Sequence, residues 1–157
     1  MTKRKGRPIL FGWRKPEFSD GEIDLYPLRT GYPDPVLRFG YERIWKITEH
    51  GSRQEIGQIS YRNGESQYVY YFGHIGYHID PPWRGNGYAF RACKLISQLF
   101  QTDGKASLVI TCDPDNMPSR KTCEKLGCTL ERIVHVPDYI RDKYEISDTK
   151  CRYIWRT

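Results

Sequence analysis

Two glycines and an arginine lie in a segment that could bind an anionic group. Arg84, Gly85 and Gly87 follow a β-favouring run and the Pro81-Pro82 pair, and they come directly before an amphipathic helical pattern. Glycines let backbone amides turn toward one point without a Cβ in the way. A helix start adds unpaired N–H groups and a partial positive charge. The segment therefore predicts a site for a phosphate or pyrophosphate group.

Two common nucleotide-binding loops do not fit this segment. A Walker loop requires a Gly-Lys-Ser/Thr sequence after its spacer, and residues 79–92 contain no lysine. A Rossmann fingerprint requires a glycine where Phe90 stands. A glycine-rich connection that merely turns the chain is the structural alternative that the residues leave open.

The elements around this segment follow from hydrophobic patterning. Four β-favouring runs come first, and Gly73 and Gly76 interrupt the last of them, where we expect a bulge or a close backbone approach. The predicted strands are 22–28, 36–48, 55–61, 67–80, 106–112, 129–136 and 150–155, and the first helix is 88–100. The strand 106–112 is apolar enough to be buried on both faces, and a polar loop joins the last two strands. The order β-β-β-β-α-β-α-β-β predicts an α/β (α+β) fold with helices packed on a central sheet.

The second helix has recognisable ends. Asn116 is suited to cap it, and Pro118 suits its first turn. Gly127 stands where a helix commonly stops in the left-handed conformation. We therefore expect this helix to follow the strand 106–112 directly.

The net charge of the chain belongs to its N-terminus. Lysine and arginine number 25 against 19 acidic residues, and the difference of +6 equals the basic residues Lys3, Arg4, Lys5, Arg7, Arg14 and Lys15. We expect a flexible basic arm over residues 1–16 and a single, nearly neutral domain over residues 17–157. Residues 4–8 resemble the core of an AT-hook, so nucleic-acid binding through the arm is a minor alternative.

Cysteine spacing and hydropathy narrow the class of protein. The chain has no Cys-x-x-Cys pair and no matching histidine spacing, so neither a metal site nor a disulfide framework is expected. No apolar stretch of about 18 residues occurs, and no apolar run follows the charged N-terminus. We therefore expect no membrane interaction and a cytoplasmic location.

Two motifs resemble those of the Gcn5-related N-acetyltransferase (GNAT) superfamily. Residues 84–89 are similar to its acetyl-CoA signature, Gln/Arg-x-x-Gly-x-Gly/Ala. Residues 116–127 resemble the second-helix motif of the RimJ/RimL-like branch, N-x-x-S-x-x-x-x-E-K-x-G-F. The resemblance implies the GNAT fold, a mixed and mostly antiparallel sheet of about six or seven strands with helices packed on it. The cofactor would lie in the cleft between the fourth and fifth strands.

The resemblance also implies an activity. A GNAT enzyme transfers the acetyl group of acetyl-CoA directly to a primary amine of a small molecule, a peptide or a protein, without a metal. In the family, backbone groups of the fourth strand bind the pantetheine arm together with the residue at Asn116, and the amides of the loop bind the pyrophosphate. The corresponding residues here are His78 and Ile79 on the strand, and Arg84, Gly85, Asn86, Gly87, Tyr88 and Ala89 in the loop. Only about ten residues, 29–38, join the first two strands, which implies an open acceptor pocket and selects no particular amine.

The family pattern points to an acid and a base. Many relatives carry a glutamate about ten residues before the loop arginine, where this sequence has His74. A neutral histidine can accept a proton, and His78 lies on the same strand face and could serve instead. The tyrosine that many relatives use as the acid is Cys123 here. The resemblance therefore implies Ser119 as the candidate acid, because its counterpart in this branch acts beside the sulfur.

Structural roles are open for both catalytic candidates. His74 could be a strand histidine hydrogen-bonded to a neighbour, and Ser119 could simply cap the helix. Because the histidine and the cysteine both depart from the family pattern, a CoA-binding GNAT module without catalysis is an alternative function. The sequence also leaves a homodimer open.

Overall fold

The helices and strands alternate along the chain much as the patterning predicts. The computed structural model describes residues 15–32 and 35–157. Its strands are β1 (Phe18–Ser19), β2 (Ile23–Gly31), β3 (Glu42–Glu49), β4 (Gly57–Arg62), β5 (Ile75–Ile79), β6 (Ser107–Cys112), β7 (Thr129–His135) and β8 (Thr149–Arg156). Its helices are α1 (Gln67–Phe72), α2 (Tyr88–Ile96), α3 (Gln98–Thr102), α4 (Met117–Lys125) and α5 (Asp138–Tyr144), and a 3₁₀ turn spans Pro81–Trp83. The AT-hook-like stretch and most of the basic arm lie outside the described residues.

One sheet of eight strands organises the fold, in the order β1-β2-β3-β4-β5-β6-β8-β7. The mixed, mostly antiparallel GNAT sheet expected from the sequence is confirmed, because β5 and β6 are the parallel pair and their neighbours are antiparallel. The additional strand is β1, a two-residue edge. The β5–β6 pairing is limited to Ile75 opposite Ile110, so the two strands diverge beyond that point. These are the predicted fourth and fifth strands, and their divergence opens a cleft within the sheet.

The core lies mainly on the face of the sheet that α2 covers. Its fully buried side chains include Trp45, Ile59, Ile96, Phe100 and Leu108. Burying an aliphatic or aromatic side chain of this kind contributes roughly 1.5–3 kcal/mol. The strand β6 is less enclosed than predicted, because its buried residues alternate with partly exposed ones.

The predicted strand over residues 67–80 is wrong in its first half. Residues Gln67–Phe72 form the helix α1, although aromatic and β-branched residues favour strands. The hydroxyl of Ser66 caps this helix by accepting from the amide of Val69, and Gly73 ends it at φ +80°. A Cβ on Gly73 would lie 2.9 Å from the carbonyl oxygen of Val109, so the expected close backbone approach is confirmed there. Local capping outweighs strand propensity in this segment.

Two further elements differ from the prediction. The helix expected over residues 88–100 is interrupted at Ser97, whose hydroxyl donates to the carbonyl of Lys94. The loop expected between the last two strands contains the helix α5, whose Ile140 is buried. The ends of α4 are as predicted, because Asn116 caps it and Gly127 follows it at φ +82°. Among the described residues, no helix is long and apolar enough to cross a bilayer.

Candidate active site

A cavity of about 200 Å³ lies where β5 and β6 diverge. Its walls come from Tyr77 on β5, from Cys112 at the end of β6, and from Asn116 and Ser119 at the start of α4. The cavity exists because the parallel strands stop pairing after Ile75 and Ile110, which leaves strand edges without a partner. We call it the splay cavity. Its unpaired strand edges suit an extended chain that would add to the sheet as a further strand.

The glycine loop before α2 has the geometry of an anion site. Gly85 and Gly87 adopt φ of +85° and +73°, values that an L side chain rarely takes. The structure gives the loop amides of residues 85–87 no acceptor within the described part of the chain. The amides of the first turn of α2 likewise lack intrahelical acceptors. These free donors lie together in one exposed segment of the chain, which fits a pyrophosphate.

Contacts with the rest of the sheet hold this loop in place. The Oε1 atom of Glu49, at the end of β3, accepts from the indole of Trp83 at 2.9 Å, and Oε2 lies 3.3 Å from the hydroxyl of Tyr88. The Nε atom of Arg84 donates to the carbonyl of Ile79 at 2.8 Å. Arg91 forms an ion pair with Asp20 across 2.9 Å. Arg91 could have added positive charge to the anion site, but its guanidinium is paired with Asp20, which lies between β1 and β2.

Lys125 supplies a cation beside the loop that the sequence did not assign. Its Nζ atom lies 4.4 Å from the ring centroid of Phe90 and 3.9 Å from where a Cβ on Gly87 would stand. The described residues give Lys125 no carboxylate partner. Its place in the motif Glu124-Lys125 gave no sign of this role, because the contact depends on how α4 packs against α2.

The backbone N–H and C=O groups of alternate residues along β5 point toward β4 or toward the cleft. The amide of Asp80 donates to Ile56 on the β4 side, and a Cβ on Gly57 would lie 2.3 Å from the carbonyl oxygen of His78. Since directions alternate along a strand, the backbone groups of Tyr77 and Ile79 face the cleft. Of the two residues expected to bind pantetheine, Ile79 faces the cleft, with its carbonyl already accepting from Nε of Arg84. Tyr77 suits the role better than His78.

His74 is buried and both of its ring nitrogens are engaged. Its Nδ1 atom accepts from the amide of Val109 at 2.9 Å, so the proton lies on Nε2, which donates to Oε1 of Glu65 at 2.7 Å. Burial lowers the pKa of His74, and the nearby Glu65 offsets this only partly. Glu65 also pairs with Lys105 at 2.8 Å. The ring does not line the splay cavity and ties the start of β5 to β6.

His78 is placed very differently. Its side chain is 58% exposed, and its Nε2 atom lies 3.8 Å from Oδ1 of Asp80. Because side chains alternate along a strand, it lies on the opposite face of β5 from Tyr77. The sequence made His74 the candidate base and His78 its alternative. In the structure, His74 is buried and links two strands, whereas the imidazole of His78 is accessible.

Ser119 lies in the first turn of α4, in the wall of the splay cavity. The side chain of Asn116 accepts from the Ser119 amide at 3.2 Å, so Asn116 and not Ser119 caps the helix. The Oγ atom of Ser119 lies 2.8 Å from the hydroxyl of Tyr77. Sequence reasoning missed Tyr77, since nothing in a strand tyrosine indicates which helix it will face. The hydroxyl of Ser119 is therefore available to the cavity.

The cysteines around the site are free thiols. Burial raises the pKa of Cys112 to about 12, so its thiol stays protonated at neutral pH. A hydrogen bond with Cys128, together with burial, raises the pKa of Cys123 further still. Among the described residues, no three potential metal ligands lie together.

Comparison with known proteins gives no significant match among curated sequences, and several among solved structures. The microcin C7 self-immunity acetyltransferase MccE, in complex with acetyl-CoA and AMP, is 23% identical over 74% of this chain and 61% of its own, with a TM-score of 0.56. The ribosomal-protein-S5-alanine acetyltransferase of Vibrio fischeri is 21% identical over 74% of this chain and 64% of its own, with a TM-score of 0.57. The chain thus spans less than two thirds of these two proteins.

A third solved structure matches over its whole length. A GNAT family acetyltransferase from Elizabethkingia anophelis, with acetyl-CoA bound, is 11% identical over 88% of this chain and 100% of its own, with a TM-score of 0.61. These likenesses show a shared fold. The model of the acetyltransferase (GNAT) domain matches residues 28–129, which is more than half of the chain and contains both motifs. The chain belongs to the GNAT acetyltransferase family.

Proposed function

We propose that this protein is an acetyl-CoA-dependent N-acetyltransferase that acts on a primary amine. The observation that carries the proposal is that the glycine loop and the splay cavity lie along the same strand, β5. The loop offers free amides for a pyrophosphate at one end of β5, and the cavity offers a strand edge and a serine hydroxyl at the other. A long ligand with an anionic head and a reactive thioester tail matches both ends.

The residues present fit acetyl-CoA, which would supply an acetyl group activated as a thioester. The amides of Arg84 to Ala89 and the cation of Lys125 would hold the pyrophosphate. The backbone of Tyr77 and Ile79 would pair with the pantetheine amides as an added strand. Asn116 and Ser119 would meet its sulfur end. The φ of +73° at Gly87 is one that glycine adopts without strain, so the glycine permits this loop conformation.

The residues that line the cavity favour direct transfer of the acetyl group to the amine over a mechanism that passes through an acetylated enzyme. Cys112 contributes the thiol that lines the cavity, and burial keeps this thiol protonated. A protonated thiol is a poor nucleophile, because the thiolate is the reactive form. We therefore propose that the amine of the acceptor attacks the thioester itself.

His74 serves this reaction as a positioning residue. Its ring and its backbone amide both bond to Val109, next to the pair Ile75 and Ile110 where β5 and β6 last meet. The clamp fixes where the two strands begin to diverge, and so fixes the cavity. His78, on the face of β5 opposite Tyr77, has an accessible ring and takes no part in this clamp.

The acceptor side supports an amine on a flexible end. Ten residues, 32–41, separate β2 from β3, which leaves little chain to enclose an acceptor. The ribosomal-protein-S5-alanine acetyltransferase is one of the structural neighbours. We therefore propose peptide N-termini as the first acceptors to test. Five free cysteines support a reducing, cytoplasmic location.

The release of free CoA thiol tests the proposed function. The protein is incubated with acetyl-CoA and, in parallel, with peptides beginning with Ala or Ser, a polyamine and an aminosugar. We expect thiol release that depends on one class of amine, together with an acetylated product identified by mass. Acetyl-CoA binding without transfer to any amine would favour the CoA-binding module instead.

A further inference from the structure

Two hydroxyl groups meet in the wall of the splay cavity, one from the sheet and one from a helix. The oxygen atoms of Tyr77 on β5 and Ser119 on α4 are 2.8 Å apart. Both residues line the cavity, and the phenol is partly buried. The pair bridges the cleft near the end of β6, where the reacting end of a pantetheine chain would lie.

Neither hydroxyl is committed to holding the helix. Asn116 accepts from the amide of Ser119 and caps α4, so the Ser119 hydroxyl is not needed for capping. The Tyr77 oxygen is also 3.5 Å from the carbonyl oxygen of Ser119, a longer contact than the one to Oγ. The phenol also has the thiol of Cys123 on α4 as a hydrogen-bond partner. The 2.8 Å contact with Oγ of Ser119 is its short hydroxyl contact with this helix.

The acidity of the two hydroxyls determines how they can assist the departure of a thiolate. Burial raises the pKa of Tyr77 well above its ordinary value, and a serine hydroxyl does not ionise near neutral pH. A thiol like that of cysteine titrates near ~8.5. A thiolate therefore does not take a proton from either hydroxyl at equilibrium, and the pair can act only by donating hydrogen bonds.

We propose that Tyr77 is a positioning residue for acetyl transfer, whose hydroxyl donates to Ser119 and directs the Ser119 proton at the departing sulfur. The inference rests on the proposed function. In the step, the amine lone pair forms the C–N bond, and the C–S electron pair passes to sulfur. The thiolate leaves with a hydrogen bond from Ser119. The amine loses its surplus proton to solvent, and the thiolate is protonated from solvent after it leaves.

The test is a double-mutant cycle of Tyr77→Phe and Ser119→Ala, with steady-state kinetics on the full chain. Tyr77→Phe removes one oxygen atom. It should lower kcat by about tenfold with KM for acetyl-CoA unchanged, because the bond acts on the transition state. In the Ser119→Ala background the same change should alter kcat by less than about twofold, since its partner is absent. Ser119→Thr keeps a hydroxyl, so in that background Tyr77→Phe should again lower kcat by most of the loss seen in the natural protein.

Tyr61→Phe is the matched control, because it also removes a phenol hydroxyl, one that donates to Asp103 at 2.9 Å and does not line the cavity. It should leave kcat unchanged, with melting temperatures recorded for both variants. A full kcat in Tyr77→Phe would overturn the inference, as would an equal loss with and without Ser119. Neither result would touch the proposed function, which instead fails if the unaltered protein transfers no acetyl group.

Discussion

The backbone amide of Val109 on β6 donates to Nδ1 of His74 across 2.9 Å. This bond uses the ring nitrogen that a general base would need, and Glu65 accepts from the other nitrogen at 2.7 Å. A histidine at this position therefore holds two strands together at the place where they begin to diverge. The finding separates the histidine that shapes the site from His78, whose ring is accessible.

The two histidines should give different pH profiles of kcat/KM. His74→Gln should lower kcat/KM by about tenfold at every pH, because it loosens the clamp without removing a titrating base. His78→Gln should leave kcat/KM unchanged, because this exposed ring lies on the face of β5 opposite Tyr77 and takes no part in the clamp. Profiles between pH 5.5 and 9 provide the measurement. An acidic limb lost in His74→Gln and kept in His78→Gln would return the base role to His74.

Stability should depend on pH through His74. Burial lowers its pKa below the ordinary value near 6.5, so the folded protein favours the neutral ring. The unfolded chain then binds more protons than the native state as pH falls through about 6.5, and stability falls with it. The stabilising effect of the neutral ring is complete above that pH. We expect the melting temperatures of the natural protein and His74→Gln to converge between pH 7.5 and 5, and a constant difference would contradict this.

Lys125 should contribute to acetyl-CoA affinity. Replacing it with Gln removes a cation beside the glycine loop and should weaken binding about fivefold, as expected of one exposed charge. The loss should shrink at high salt. Calorimetry at two salt concentrations provides the measurement. Lys143→Gln is the control, because Lys143 also lies over an aromatic ring, that of Tyr144, far along the chain on α5. An equal effect of both changes would indicate a general charge effect.

Direct transfer predicts that no acetylated enzyme accumulates. Because burial raises the pKa of Cys112 to about 12, its thiol should not attack the thioester. Intact-mass measurement after incubation with acetyl-CoA and no amine should show the unmodified chain. An acetyl adduct mapped to Cys112, and discharged when the amine is added, would establish a two-step mechanism instead.

Features set by short-range backbone chemistry could be predicted from the sequence. The positive φ of Gly85 and Gly87 follows from a turn that opens a helix, and the cap at Asn116 follows from its place before Pro118. The helix α1 was missed because its aromatic residues favour a strand. Its cap at Ser66 and its end at Gly73 were signals present in the sequence.

Features set by packing between distant elements could not be predicted. The contact between Tyr77 and Ser119 joins residues 42 positions apart, and its existence depends on where α4 lies over β5. The engagement of His74 by Val109 spans 35 positions and depends on the register between β5 and β6. Motifs identify the residues that bind a shared cofactor, whereas tertiary structure decides which neighbouring side chains assist them.

Calorimetric titration of acetyl-CoA into Gly87→Asp and Gly87→Asn tests the central claim, that the glycine loop binds the pyrophosphate. Both residues tolerate the φ of +73° better than other side chains, and they have the same shape, so they differ in charge alone. We expect Gly87→Asn to bind more weakly than the natural protein and Gly87→Asp to show no measurable binding, because a carboxylate there repels the phosphates. Equal affinities in a folded Gly87→Asp and Gly87→Asn would contradict the claim and remove the loop from the acetyl-CoA site.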